Sequence, residues 1–113
     1  SFVKLQSYQG MESTKNLKKM IGLSENIENK DIIILEDIVD TGNTLYTLKN
    51  ELINKNIKSI KIVSLLYKPT KLINDLKIDY IGFEISDEFV VGYGMDLNGF
   101  GRNLKNIYKI IIK

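Results

Sequence analysis

The stretch Ile32–Leu45, IIILEDIVDTGNTL, limits what this chain can fold into more than any other part of it. Asp31-Ile32-Ile33-Ile34-Leu35 places large apolar residues in an unbroken run. That is the pattern of a strand buried on both faces of a parallel sheet. The run ends in Glu36-Asp37, continues through Ile38-Val39 and meets Asp40-Thr41-Gly42-Asn43-Thr44. Leu45, Leu48, Leu52 and Ile53 then follow the spacing of one helical face, which predicts a helix from about Asn43 to Asn56. Ser59–Tyr67 (SIKIVSLLY) reads as the next strand, stopped by Lys68-Pro69 because proline has no ladder donor. Strand, helix, strand makes a right-handed βαβ unit.

The turn inside this unit carries chemistry. In open α/β sheets, ligands sit at the carboxyl ends of the strands. Here the strand end offers successive backbone N–H groups, the hydroxyls of Thr41 and Thr44, and a glycine at a helix N-terminus. Unpaired donors and the positive end of the helix dipole coincide there, so anions bind. Three carboxylates beside an anion site make sense when the ligand has two faces. Phosphate wants donors, sugar hydroxyls want carboxylate acceptors, and a ribose 5-phosphate satisfies both. Asp-Thr-Gly alone is common and would fit an ordinary capped helix. The full combination, apolar run, paired acids, Asp-Thr-Gly-x-Thr and amphipathic helix, is much more specific.

Composition removes several other chemistries. The 113 residues suffice for one domain, with 43% apolar and 27% charged residues, as expected of a globular chain. There is no cysteine and no histidine, so disulfides, thiolate or imidazole metal sites and histidine-based triads are excluded. Any metal must be held by carboxylates, which points to Mg²⁺ or Mn²⁺. A net charge of +2 is too small for an electrostatic nucleic-acid binder. The longest apolar runs are about four residues, against roughly 20 for a membrane span. No signal-peptide pattern appears, so a cytoplasmic protein without nucleic-acid or membrane partners is expected. The abundance of Ile, Lys and Asn, with Ala absent, reads as codon bias and carries no functional weight.

Elsewhere, Phe2–Gln6 reads as a short strand, SYQGME (7–12) as an exposed loop, residues 14–22 as another short strand and Ser24–Lys30 as a polar turn. Strands are expected at Asp79–Ile85, Phe89–Tyr93 and Ile107–Ile112. Five of the eight glycines fall between Gly82 and Gly101, which suggests tight turns near a ligand. The chain starts at Ser1 already in a strand-like alternation, as though entered part-way through a domain.

LEDIVDTGNTL resembles the phosphoribosyl-diphosphate (PRPP) motif of the type I phosphoribosyltransferases. SLLYKPT (64–70), DYIGFEI (79–85), FVVGYGMD (89–96) and GRNL (101–104) resemble, in order and spacing, the hypoxanthine-guanine branch of that family. The resemblance implies an α/β fold with a mainly parallel twisted sheet, Rossmann-like, lacking the family's N-terminal elements, so residues 1–113 would be an incomplete phosphoribosyltransferase domain. It implies that Glu36 and Asp37 bind the ribose hydroxyls and contribute to the metal site, and that Asp40, Thr41, Gly42, Asn43 and Thr44 hold the 5-phosphate. Asn43 stands where some relatives carry lysine. Asp40 is the candidate catalytic base. Lys68, Phe89, Val90 and Met95 would bind the base, Asp96 would hold Mg²⁺, and Arg102 would neutralise pyrophosphate. Ser7 and Tyr8 look like the tip of the mobile loop, which with its flanking hairpin would span 7–30. PRPP and 6-oxopurines are the implied substrates, Mg²⁺ the implied cofactor, and a dimer or tetramer the implied assembly.

The residues themselves agree with the base. An ammonium is donor-only, so Lys68 would donate to a 6-oxo group and leave a 6-amino group unmatched. Three rival readings are a PRPP-sensing regulator that performs no transfer, a transferase for another base, and a structural fragment without activity.

Overall fold

The computed structural model describes residues 4–6, 18–21 and 26–111. Lys4–Gln6 (β1) and Lys18–Ile21 (β2) pair antiparallel. The expected strand at 14–22 is therefore represented by its second half. Ser7, Tyr8 and most of the expected 7–30 loop lie outside the described residues.

Asp31–Val39 (β3) leads through the Asp40–Gly42 turn into Asn43–Ile53 (α1), followed by Ser59–Tyr67 (β4) and Tyr80–Glu84 (β5). These strands form a parallel sheet in the order β3-β4-β5. The βαβ unit is the one expected, because strand and helix periodicities change at Gly42. The helix is shorter than its apolar spacing suggests. Lys55 N–H donates to the Leu52 carbonyl and Asn56 N–H to that of Ile53, tightening the end of the helix. Asn56 then adopts φ 54°, the left-handed conformation that turns the chain back towards β4.

The core lies between α1 and one face of the sheet. Leu45 and Leu52 of α1 meet Ile34 and Val39 of β3 and Ile62 of β4, with Ile27 and Leu76 closing the cluster. Ile62 is 1% exposed, and burying a side chain of that size contributes about 1.5–3 kcal/mol.

Within this chain one face of β3 is covered. Ile34 is 9% exposed, whereas Ile33 and Leu35 are 67% and 76% exposed. Successive side chains of a strand point to opposite faces, and α1, the single helix among the described residues, covers only one of them.

The C-terminal part pairs Val90–Val91 (β6) antiparallel with Tyr108–Lys109 (β7). Both strands are shorter among the described residues than the expected Phe89–Tyr93 and Ile107–Ile112, of which Ile112 lies outside them. The first stops because Gly92 (φ 101°) and Tyr93 (φ 53°) leave the extended region. The expected strand at Asp79–Ile85 likewise narrows to Tyr80–Glu84. Asp79 still serves the sheet: its N–H donates to the Ile62 carbonyl at 2.9 Å and its carboxylate accepts the Ile62 N–H at 2.8 Å.

Between β6 and β7 the glycine-rich segment makes two tight reversals. Tyr93-Gly94 and Asn98-Gly99 each supply two successive positive φ angles, as type I′ turns require. Gly94 N–H donates to the Arg102 carbonyl and Tyr93 N–H to that of Leu104, folding the two reversals together.

Candidate active site

The turn after β3 opens a cleft of about 200 Å³, lined by Glu36, Ile38, Val39, Asp40, Thr41, Gly42, Asn43, Thr44 and Leu45. Its floor is the start of α1. Gly42 precedes the helix with φ 77° and has no side chain with which to cap it, so the one first-turn N–H taken by a side chain is that of Asn43, which donates to the Thr41 hydroxyl. The other first-turn N–H groups without an intrahelical acceptor are therefore left facing the cleft. Glycine takes this φ without strain, and an added Cβ would come 2.7 Å from Leu72 Cδ1, forcing that side chain to shift.

The loop after β4 supports the turn from behind. Ile73 N–H donates to the Thr41 carbonyl at 3.2 Å, and Asn74 Nδ2 donates to Asn43 Oδ1 at 2.9 Å. The Thr41 hydroxyl accepts from Asn43 N–H at 3.4 Å. Leu72 and Asn74 were not legible as site residues, since nothing in the loop's sequence marks its partner.

Parallel register brings the second half of the site to the same strand ends. Val39 lies opposite Tyr67, so Asp40 follows on beside Lys68, whose N–H donates to the Val39 carbonyl. The Lys68 side chain is only 5% exposed, and its ammonium is 3.5 Å from Asp40 Oδ2. Tyr67 lies opposite Glu84 in turn, and Ile85 N–H donates to the Tyr67 carbonyl. That pairing carries the Ser86–Glu88 loop over Lys68. Asp87 Oδ1 comes within 3.9 Å of the Lys68 ammonium, while Asp87 Oδ2 is 3.0 Å from Lys71. The Phe89 ring centroid is 5.7 Å from Lys68 Nζ, within cation–π reach, and Phe89 is 66% exposed, leaving ring surface free.

Asp96 and Arg102 meet across the two reversals, Arg102 Nη2 lying 3.1 Å from Asp96 Oδ1. Asp96 Oδ2 accepts the Gly99 N–H at 2.8 Å. Val90 is half-buried in β6, and Met95 is buried, so the thioether offers little surface to a ligand. Glu36 lines the cleft, whereas Asp37 is exposed beside it and accepts the Ile38 N–H at 2.7 Å.

Burial pushes the Glu36 carboxyl above its ordinary range, and the neighbouring Asp37 charge adds to the effect. The same two influences favour a cation or hydroxyl donor at this carboxylate. Hydrogen bonding to Asp87, followed by that residue's charge, raises the Lys71 ammonium.

No cluster of three or more metal-ligating side chains occurs among the described residues. Mg²⁺ does not require one, since it commonly binds through one or two carboxylates plus substrate phosphates and water. Glu36 and Asp37 offer oxygen donors of that kind. Asp96 forms no such cluster with them and offers a separate carboxylate, one oxygen of which is paired with the Arg102 guanidinium.

Comparison with known proteins agrees with this geometry. The phosphoribosyl transferase domain family matches residues 1–98. The hypoxanthine phosphoribosyltransferase of Escherichia coli K12 is 42% identical over 112 residues, 98% of this chain and 63% of that protein. The hypoxanthine-guanine phosphoribosyltransferase of Staphylococcus aureus Mu50 is 43% identical over 107 residues, 94% of this chain and 60% of that protein. A crystal structure of a hypoxanthine phosphoribosyltransferase from Staphylococcus aureus superposes with a TM-score of 0.91 at 41% identity, covering 97% of this chain and 60% of that one. The chain thus spans about 60% of the length of the relatives it matches. With a family match running through the PRPP-type turn, this chain belongs to the phosphoribosyl transferase family.

Proposed function

We propose that the protein to which this chain belongs transfers the phosphoribosyl group of PRPP to hypoxanthine, and to guanine as well, releasing pyrophosphate in purine salvage. One observation carries this reading: the Lys68 ammonium, 5% exposed, stands beside Asp40 at the rim of the Glu36–Leu45 cleft, so a base reader and an anion cradle share one set of strand ends.

In this reading the turn from Asp40 to Thr44 holds the 5-phosphate through backbone N–H groups and two hydroxyls. Glu36 and Asp37 accept hydrogen bonds from the ribose hydroxyls. Lys68 donates to the 6-oxo group, Phe89 supplies a stacking face, and the Val90 backbone meets the base edge, with Met95 packed behind. The bond from the anomeric carbon to pyrophosphate breaks as an imidazole-ring nitrogen of the purine forms the new bond to that carbon. The transition state is oxocarbenium-like, as at other anomeric carbons. Asp40 takes the ring proton as general base. Arg102 turns from Asp96 to the departing pyrophosphate oxygens, where a planar guanidinium matches two acceptors at once. Asp96 would hold Mg²⁺ on the pyrophosphate side, and Glu36 and Asp37 would offer carboxylate oxygens to Mg²⁺ at the ribose; the metal would supply charge neutralisation on the pyrophosphate. Holding both reactants in line accounts for much of the acceleration.

Ser7 and Tyr8 are assigned to a loop that closes over the reacting centre and excludes water. A cytoplasmic homodimer or homotetramer completes the proposal. No helix among the described residues is long and apolar enough to cross a membrane. A PRPP-sensing regulator acting through nucleic acid is disfavoured by the net charge of +2.

The test is to incubate the full-length protein with PRPP, Mg²⁺ and each purine or pyrimidine base in turn. IMP formation from hypoxanthine, with adenine turned over far more slowly, is expected. No product with any 6-oxopurine overturns the proposal.

A further inference from the structure

The Lys68 ammonium is nearly closed off from water, yet it touches neither of its carboxylates at hydrogen-bonding distance. It stands 3.5 Å from Asp40 and 3.9 Å from Asp87, suspended between them. A buried cation with a single carboxylate partner closes to a contact pair, typically about 2.7–2.9 Å. The second carboxylate, on the far side, resists that collapse. Its own pull is divided, because the other Asp87 oxygen is 3.0 Å from Lys71. The loop that carries Asp87 is anchored on both sides: Ile85 N–H donates to the Tyr67 carbonyl, Ile110 N–H donates to the Phe89 carbonyl, and Glu88 pairs with Lys109. Asp87 is thus held in place rather than drawn in by Lys68.

The geometry points to Asp87 as a positioning residue that keeps the Lys68 ammonium off Asp40 and available to the 6-oxo group of the purine, with Lys71 setting how strongly it pulls. This inference rests on the function proposed above. Without the counterweight, Lys68 settles on Asp40, where it is turned away from the base. With an excess of it, Lys68 is drawn towards Asp87 instead. Either displacement weakens recognition of the base while leaving the phosphate turn intact.

Steady-state kinetics on the full-length protein test this, with the parent assayed first. Absence of hypoxanthine transfer by the parent defeats the proposed function itself. With an active parent, Asp87→Asn is expected to raise the hypoxanthine KM about tenfold and leave the PRPP KM within about twofold, and Asp87→Glu to restore part of the loss. Lys71→Met, an exposed position whose change does not threaten folding, is expected to raise the hypoxanthine KM about threefold, again without change for PRPP. Should Asp87→Asn not fold, the Lys71→Met result decides. An unchanged hypoxanthine KM in the folded variants, or KM values for both substrates rising in parallel, overturns the assignment.

Discussion

Asp40 and Lys68 face each other across the ends of two adjacent parallel strands, Nζ lying 3.5 Å from Oδ2, with the cation 5% and the carboxylate 51% exposed. The asymmetry matters. The ammonium has lost most of its water, while the carboxylate stays open to a ligand entering the cleft. In the proposed function these two groups are the base reader and the proton acceptor.

Replacing Asp40 with Asn keeps the shape of the turn and removes the acceptor. The forward rate of IMP synthesis is expected to fall by about 10²–10⁴, the usual contribution of a positioned general base. IMP affinity, measured by calorimetric titration, should change little. Full turnover by this variant would remove Asp40 from proton transfer.

Lys68→Gln exchanges a donor-only group for an amide that can both donate and accept. Discrimination between hypoxanthine and adenine, expressed as the ratio of kcat/KM values, is expected to fall by about 100-fold. Sites that hydrogen-bond a specific group reject the wrong one strongly, and this variant no longer does so. An unchanged ratio would separate Lys68 from reading of the 6-position.

Gly42→Ala forces an L residue into φ 77° and brings its Cβ 2.7 Å from Leu72 Cδ1. The conformational cost alone is roughly 1–2 kcal/mol. Thermal melting should show a lower midpoint, and the PRPP KM should rise as the turn deforms. A variant with parental melting and KM would show that the turn does not need this conformation.

Glu36 gives a pH dependence with a definite sign. Its carboxyl is raised above the ordinary glutamate value of 4.5 by burial and then by the Asp37 charge. The folded chain therefore holds this proton to higher pH than the unfolded one. The resulting contribution to stability is fully present below 4.5 and is lost as pH rises through the raised folded value. Glu36→Gln removes that dependence, so denaturant titrations should show the variant gaining on the parent as pH rises from 4 towards neutrality. Transfer activity should fall as a ribose acceptor is lost. Identical pH–stability profiles for the two proteins would show that Glu36 is not the group responsible.

What the residues decide alone is local. The strand, the turn and the helix of Ile32–Ile53 follow from neighbours a few positions apart, because side-chain periodicity and the freedom of Gly42 act over single turns of chain. The uncapped helix start behind Gly42 was legible for the same reason. Tertiary structure decided which distant groups meet it. Lys68 stands beside Asp40 because β3 and β4 run parallel with Val39 opposite Tyr67, and Asp87 reaches Lys68 because β5 aligns Glu84 with Tyr67. Neither register is written in any one segment, since it emerges when buried faces pack together.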